Sequence, residues 1–146
     1  MRHDAFLAAL DEERIVAAIQ QAESRSRGEI RVHVAEGVVS DPHRAAVLDF
    51  DRLGMAATAE RNGVLILVAP ESQSFAVIGD RGIHDRCPEG FWDALAASLR
   101  EDFSADRFTD GIVSVVTRVG DELQRHFPRR PGDKDVNELP DAVIRD

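Results

Sequence analysis

Two apolar runs placed almost back to back restrict this chain more than any other feature. The first, Val64-Leu65-Ile66-Leu67-Val68-Ala69, is entered through Arg61-Asn62-Gly63, and the second, Phe75-Ala76-Val77-Ile78, leaves through Gly79-Asp80. Both are short, rich in β-branched residues and bounded by turn formers, the pattern of strands buried on both faces. The break between them, Pro70-Glu71-Ser72-Gln73, is long enough only for a hairpin. In a hairpin the entry of the first strand and the exit of the second share an end. Arg61, Asn62 and Asp80 are therefore expected at one rim of a covered sheet.

The flanking segments supply the cover. Asp11 suits a helix N-cap, with Glu12 and Glu13 in the first turn where the helix dipole favours negative charge. Ile15, Val16, Ala18, Ile19 and Ala22 then recur at helical spacing until Gly28. Ile30, Val32 and Val34 alternate with Arg31 and His33, which predicts a strand near the sheet edge with one covered face and one wetter face that carries His33. Asp41-Pro42 opens a second helix, whose stripe of Ala46, Phe50 and Leu53 ends at Gly54. Strand, helix and strand in that order make a βαβ crossover, so the strand from Ile30 runs parallel to the one from Val64 and Glu29 joins the same rim.

Beyond the hairpin, Phe91 or Trp92, Leu95, Leu99 and Phe103 mark a third helix. Phe108, Ile112, Val115, Val116, Val119 and Leu123 mark a long fourth one that Pro128 ends. Gly111 and Gly120 inside it cost roughly 1 kcal/mol each in helix propensity, which close packing against a neighbour would explain. The expected fold is α/β: a three-layer-like sandwich, with a mixed sheet of three to four strands and helices on both faces. Residues 1–128 form the domain, and residues 129–146 a charged tail expected to be solvated, although Leu139, Val143 and Ile144 are apolar enough to dock.

Composition excludes several functions. With 27 acidic and 18 basic residues the formal charge is −9, which repels a phosphate backbone, and the only local basic cluster is Arg129-Arg130. Tyrosine is absent and there is one tryptophan, so stacking platforms for bases are lacking as well. No nucleic-acid partner is expected. The single Cys87 excludes an internal disulfide framework and fits a reducing compartment. No signal-peptide pattern opens the chain, and no apolar run approaches the roughly 20 residues that cross a bilayer, so the expectation is a cytoplasmic protein without direct membrane insertion.

Among chemistry-bearing residues, Glu29, Asn62 and Asp80 stand out. Two carboxylates and an amide oxygen at one rim suit a hard cation such as Ca²⁺ or Mg²⁺, and Arg61 beside them could hold a phosphate. The competing expectation is structural: Asp80 paired with Arg61 or Arg81, and Asn62 in a turn before its strand. Asp80, His84, Asp85 and Cys87 crowd one loop, but their spacing matches none of the usual zinc patterns. Cys87 lacks the arginine-closed phosphate loop of a cysteine phosphatase, and Glu89 and Asp93 would raise its pKa. Neither a phosphate-cradling P-loop nor a Gly-x-Ser-x-Gly elbow is present. Glu23, beside the apolar stripe of the first helix, is expected to be solvated or salt-bridged.

The order of these elements resembles one known family. Its marks are Gly28-Glu29-Ile30-Arg31-Val32, the helix with Phe50 and Leu53-Gly54, Arg61-Asn62-Gly63-Val64-Leu65-Ile66, then Ile78-Gly79-Asp80-Arg81-Gly82-Ile83 and two closing helices. Together they resemble the TPM-domain family, which includes a thylakoid-lumen acid phosphatase and a photosystem II repair protein. His126-Phe127-Pro128 and Asn137-Glu138-Leu139-Pro140 are similar to a short, signal-less bacterial branch. The resemblance implies an α/β sandwich and, in some members, calcium binding or phosphatase activity. The leading expectation is a TPM-type binding or assembly module modulated by a divalent cation, with an unknown protein partner such as a membrane-associated relative. The alternative is a metal-dependent acid phosphatase acting on phosphomonoesters, with catalytic residues unknown and Arg61 as the phosphate-binding candidate.

Overall fold

The computed structural model describes residues 1–133 and 141–146. Among these residues three strands form the sheet: β1 (Glu29–Val34), β2 (Gly63–Ala69) and β3 (Ser74–Gly79), in that spatial order. β1 runs parallel to β2 with Glu29 opposite Gly63 and Val34 opposite Val68, while β2 and β3 are antiparallel with Val64 opposite Gly79. A 3-10 turn at Pro70–Ser72, with Gln73 left-handed at φ 51°, closes the hairpin. The mixed sheet is the one the βαβ order and the hairpin require.

Among the described residues six α-helices surround it: α1 (His3–Ala9), α2 (Glu12–Ser24), α3 (Pro42–Arg52), α4 (Arg81–His84), α5 (Phe91–Ser104) and α6 (Phe108–His126). Local chemistry sets several of their starts. Asp11 accepts from the Arg14 N–H at 3.2 Å and Asp41 from the Arg44 N–H at 3.1 Å, each supplying an acceptor to a helix end that has none of its own. Pro42 follows Asp41 in the first turn of α3. The short α1 and α4 were not expected, because neither is long enough to display a period.

The two sheet faces are covered separately. Ile30, Val32, Val34, Val64, Ile66 and Val68 pack with Ile15 and Ile19 of α2, Leu95 and Leu99 of α5, and Ile112, Val115, Val116, Val119 and Leu123 of α6. On the opposite face Leu65, Leu67 and Ala76 pack with Ala46 and Phe50 of α3 and with Met55. This is the sandwich with helices on both faces. Each fully buried Ile, Leu or Val contributes roughly 1.5–3 kcal/mol, so the first and larger cluster supplies most of the cohesion. Gly120 explains itself here: a Cβ on it would lie 2.6 Å from the Ala22 Cβ, so α6 can approach α2 only as glycine.

Two strands depart from their expected exposure. β2 is buried at every residue, but β3 is mostly half-buried, an edge strand rather than one enclosed on both faces. β1, expected to keep a wet face, is almost wholly buried, because α3 lies over that face and the C-terminal segment lies along its edge. The Val34 N–H donates to the Ile144 C=O at 2.8 Å, and the Ile144 N–H to the Val32 C=O at 2.9 Å. Val143 is buried beside them. Leu139 and residues 137–140 lie outside the described residues. No helix among the described residues is long and apolar enough to cross a membrane.

Candidate functional site

The register places the expected rim residues in one row. Glu29 lies opposite Gly63, and the Asp80 N–H donates to the Gly63 C=O at 2.9 Å, so Glu29 and Asp80 flank β2 at the same end of the sheet. Asn62 precedes Gly63 and its C=O accepts from the Glu29 N–H at 3.5 Å. All three side chains belong to buried residues. Topology therefore gathers them, as hairpin and crossover demand.

The functional atoms of Asp80 and Asn62 serve as joints. Arg61 donates to both oxygens of Asp80, Nε to Oδ2 at 2.6 Å and Nη2 to Oδ1 at 3.0 Å, a bidentate fork. Asp80 Oδ1 also accepts from the Arg81 N–H at 2.7 Å and so caps α4. The hydrogen bonds to Asp80 hold the Arg61 guanidinium more firmly protonated than usual. Arg61 itself is left-handed at φ 53°, a conformation that L side chains seldom adopt and that here aims the fork across the rim. Gly82 seals this corner: its N–H donates to the Arg61 C=O at 2.8 Å, and a Cβ there would lie 2.3 Å from the Glu60 oxygen. Asn62 donates from Nδ2 to the Arg27 C=O at 3.1 Å, while the Arg27 side chain forks onto Glu60 at 2.8 and 2.9 Å.

Two constellations escaped sequence reasoning. His33, assigned to a wet face, is buried with Asp49: Nδ1 lies 2.5 Å from Asp49 Oδ2, and Arg52 donates to the other oxygen at 2.5 Å. The second ring nitrogen meets the backbone oxygen of Asp146. A histidine alternating with valines carries no signal that a helix and a distant terminus will cover it. Glu23 was expected to be solvated or salt-bridged. Instead its Oε2 accepts from the Ile30 N–H at 3.0 Å, and its pKa is pushed up to about 10 by burial first, then by a shared hydrogen bond with Asp141 and the nearby charge of Glu29.

Other candidates resolve in the structural direction. Among the described residues no group of three or more His, Cys, Asp or Glu side chains is arranged to hold a metal ion, the loop with Asp80, His84, Asp85 and Cys87 included. The Cys87 thiol is pushed up to about 11, by burial and then by Glu122, and not by Glu89 or Asp93 as its sequence neighbours suggested. His84 stacks on Trp92 with ring centroids 5.6 Å apart.

A concavity lies along the outer edge of β3. It is a groove of about 750 Å³ between α3 (Val47, Leu48) and α5 (Trp92, Ala96), with Arg61, Arg81 and His84 at one end. Its walls are largely apolar, and at that end Asp80 lies with the two arginines.

Comparison with known proteins agrees with this architecture. The BA42 protein of the psychrophilic bacterium Bizionia argentinensis, solved by NMR, is 36% identical to this chain, with a TM-score of 0.81 over 91% of this chain and 90% of that one. The N-terminal domain of the cg2496 protein of Corynebacterium glutamicum, 14% identical with a TM-score of 0.58 over 90% of this chain and 76% of that one, shares the fold. The search of curated proteins gave no match. The TPM domain matches residues 1–122, which take in the sheet, its rim and all but the last turn of α6; with the fold and the BA42 likeness, that match makes this chain a member of the TPM-domain family.

Proposed function

We propose that this TPM-domain chain is a binding or assembly module whose polar rim is tuned by a divalent cation, acting in the cytoplasm on a protein partner. Membrane-associated members of the family are the first partners to test. The observation that carries the reading is the Arg61–Asp80 fork. The two residues best suited to phosphate and metal neutralise each other, and Asp80 also holds the start of α4, so the rim is built as a joint. Glu29, Asn62 and Asp80 have the hard oxygen chemistry that Ca²⁺ or Mg²⁺ takes. Asp80 becomes available to such an ion only when Arg61 lets go, which couples the ion to the position of the loop carrying Arg61 and Asn62.

Heteronuclear NMR with Ca²⁺ or Mg²⁺ tests this. The expected result is saturable shifts of the residue 29, 62 and 80 amides, with tighter binding in Arg61→Gln. Silence of all three amides at millimolar metal would remove the cation from the reading. The alternative, a metal-dependent phosphomonoesterase, is favoured by one feature, Arg81 and His84 beside Asp80 at one end of the β3 groove. Hydrolysis of a generic phosphate ester with and without metal decides it: a metal-dependent rate that Asp80→Ala abolishes would replace the binding reading.

A further inference from the structure

The sheet treats its two edges differently. The β1 edge is occupied by the chain's own C-terminal segment through Ile144. Among the described residues none pairs with the outer edge of β3. The bond from the Asp80 N–H to the Gly63 C=O sets the parity of that edge, since inward and outward backbone groups alternate along an antiparallel strand. Ser74, Ala76 and Ile78 point their backbone groups at β2, so Phe75, Val77 and Gly79 point theirs away from it. The edge also lacks the usual guards: Ser74-Phe75-Ala76-Val77-Ile78-Gly79 has no charge and no proline. Beside it, Val47 and Leu48 of α3 are 49% and 62% exposed.

We propose that this edge is the assembly surface of the module and that its occupant is the β3 of a second copy, paired antiparallel about Val77 to join two sheets into one of six strands. The proposal rests on the binding-module reading and names its surface and partner. Three observations select a second copy. First, outward groups can bond only to outward groups, and a twofold on Val77 is the one that pairs all three outward residues, setting Phe75 opposite Gly79; about six hydrogen bonds then form from groups that are otherwise open. Second, the same twofold carries Val47 and Leu48 of α3, exposed beside the edge, toward their own copies, where their apolar surface is covered. Third, each end of the edge carries one acidic and one basic side chain. Glu71, which also accepts from the Gly37 N–H, precedes β3 and Arg81 follows it. On α5 the exposed Arg100 lies over Phe75 near the start of β3, while the exposed Asp93 adjoins Trp92, the ring against Gly79 at its end. An antiparallel twofold carries Glu71 toward Arg81, and Arg100 toward Asp93, of the other copy.

Light scattering and sedimentation of the full chain from about 5 to about 500 µM test the proposal. The expected result is a rise from 16.1 kDa toward twice that mass. Amide exchange at Phe75, Val77 and Gly79 should slow as concentration rises. Val77→Lys sets like charges opposite each other on the twofold, and Val77→Pro removes an outward N–H; each should weaken pairing at least about tenfold with unchanged far-UV circular dichroism. Should one variant fail to fold, the other and the wild-type exchange pattern still decide. A wild-type chain that stays at monomer mass throughout, or a dimer indifferent to both variants, overturns the proposal. A monomer whose rim amides still answer Ca²⁺ overturns self-pairing alone, whereas a monomer with a silent rim overturns the rim reading with it. Preference for an added extended peptide over a second copy overturns the choice of occupant.

Discussion

Replacing Glu23 by glutamine should stabilise this protein, and increasingly so as pH rises. In the unfolded chain the carboxyl titrates near 4.5, and in the folded protein burial, Asp141 and Glu29 push it up to about 10. Below the lower value both states hold the proton and the site is neutral at no cost. Between the two values folding must take up a proton, so the stability associated with the neutral, buried carboxyl is lost progressively as pH rises, by at most about 1.4 kcal/mol per pH unit. Glutamine keeps an oxygen to accept from the Ile30 N–H and carries no charge to bury. Between pH 5.5 and 7 the gap between Glu23→Gln and wild type should therefore widen by about 2 kcal/mol in favour of the variant. Urea unfolding of both proteins across this range, followed by the fluorescence of the single tryptophan, Trp92, measures it directly. Titrations of groups remote from residue 23 cancel in the difference. A gap that stays flat with pH, or narrows, would refute the argument and return Glu23 to an ordinary solvated carboxylate.

The other expectations follow from the joints of the fold. Asp80→Ala removes a helix cap and both acceptors of the Arg61 fork, and should cost about 2 kcal/mol, because half-exposed Arg61 can return to water; Asp80→Asn, which keeps a cap, should cost less, and denaturant unfolding that ranks them the other way contradicts the capping role. Gly82→Ala forces a Cβ against the carbonyls of Glu60 and Arg61, and a melting temperature lowered by less than a degree or two would show that this corner yields freely; the expected loss is about 2 kcal/mol or more. His33→Ala leaves buried Asp49 without one partner and unlatches the C-terminal segment. The readout is hydrogen exchange, with the Val34 and Ile144 amides expected to lose protection together, by about tenfold or more; unchanged exchange there would mean that the segment is held by Val143 and the backbone alone.

Local rules wrote most of the architecture into the chain. A four-residue break between two apolar runs leaves only a hairpin, and a helix between strands demands a crossover, so the rim of Glu29, Asn62 and Asp80 follows from connectivity. Asp11 and Asp41-Pro42 announce their helices because capping acts within three residues. Gly120 signalled a close approach before the neighbour, Ala22, was known.

What periodicity cannot carry is the identity of the cover over each strand. Alternation marked His33 as wet, but α3 and the C-terminal segment arrive from elsewhere and bury it. The apolar run of β3 reads like that of β2, since an edge strand half-shielded by α3 and α5 needs the same residues as a central one. Glu23 became a strongly shifted acid only because folding brings Asp141 and Glu29 beside it. Elements and their order depend on contacts between near neighbours in sequence, which a single chain displays openly. The open sheet edge and the buried charges depend on contacts between distant segments, whose partners are decided only when the whole domain packs.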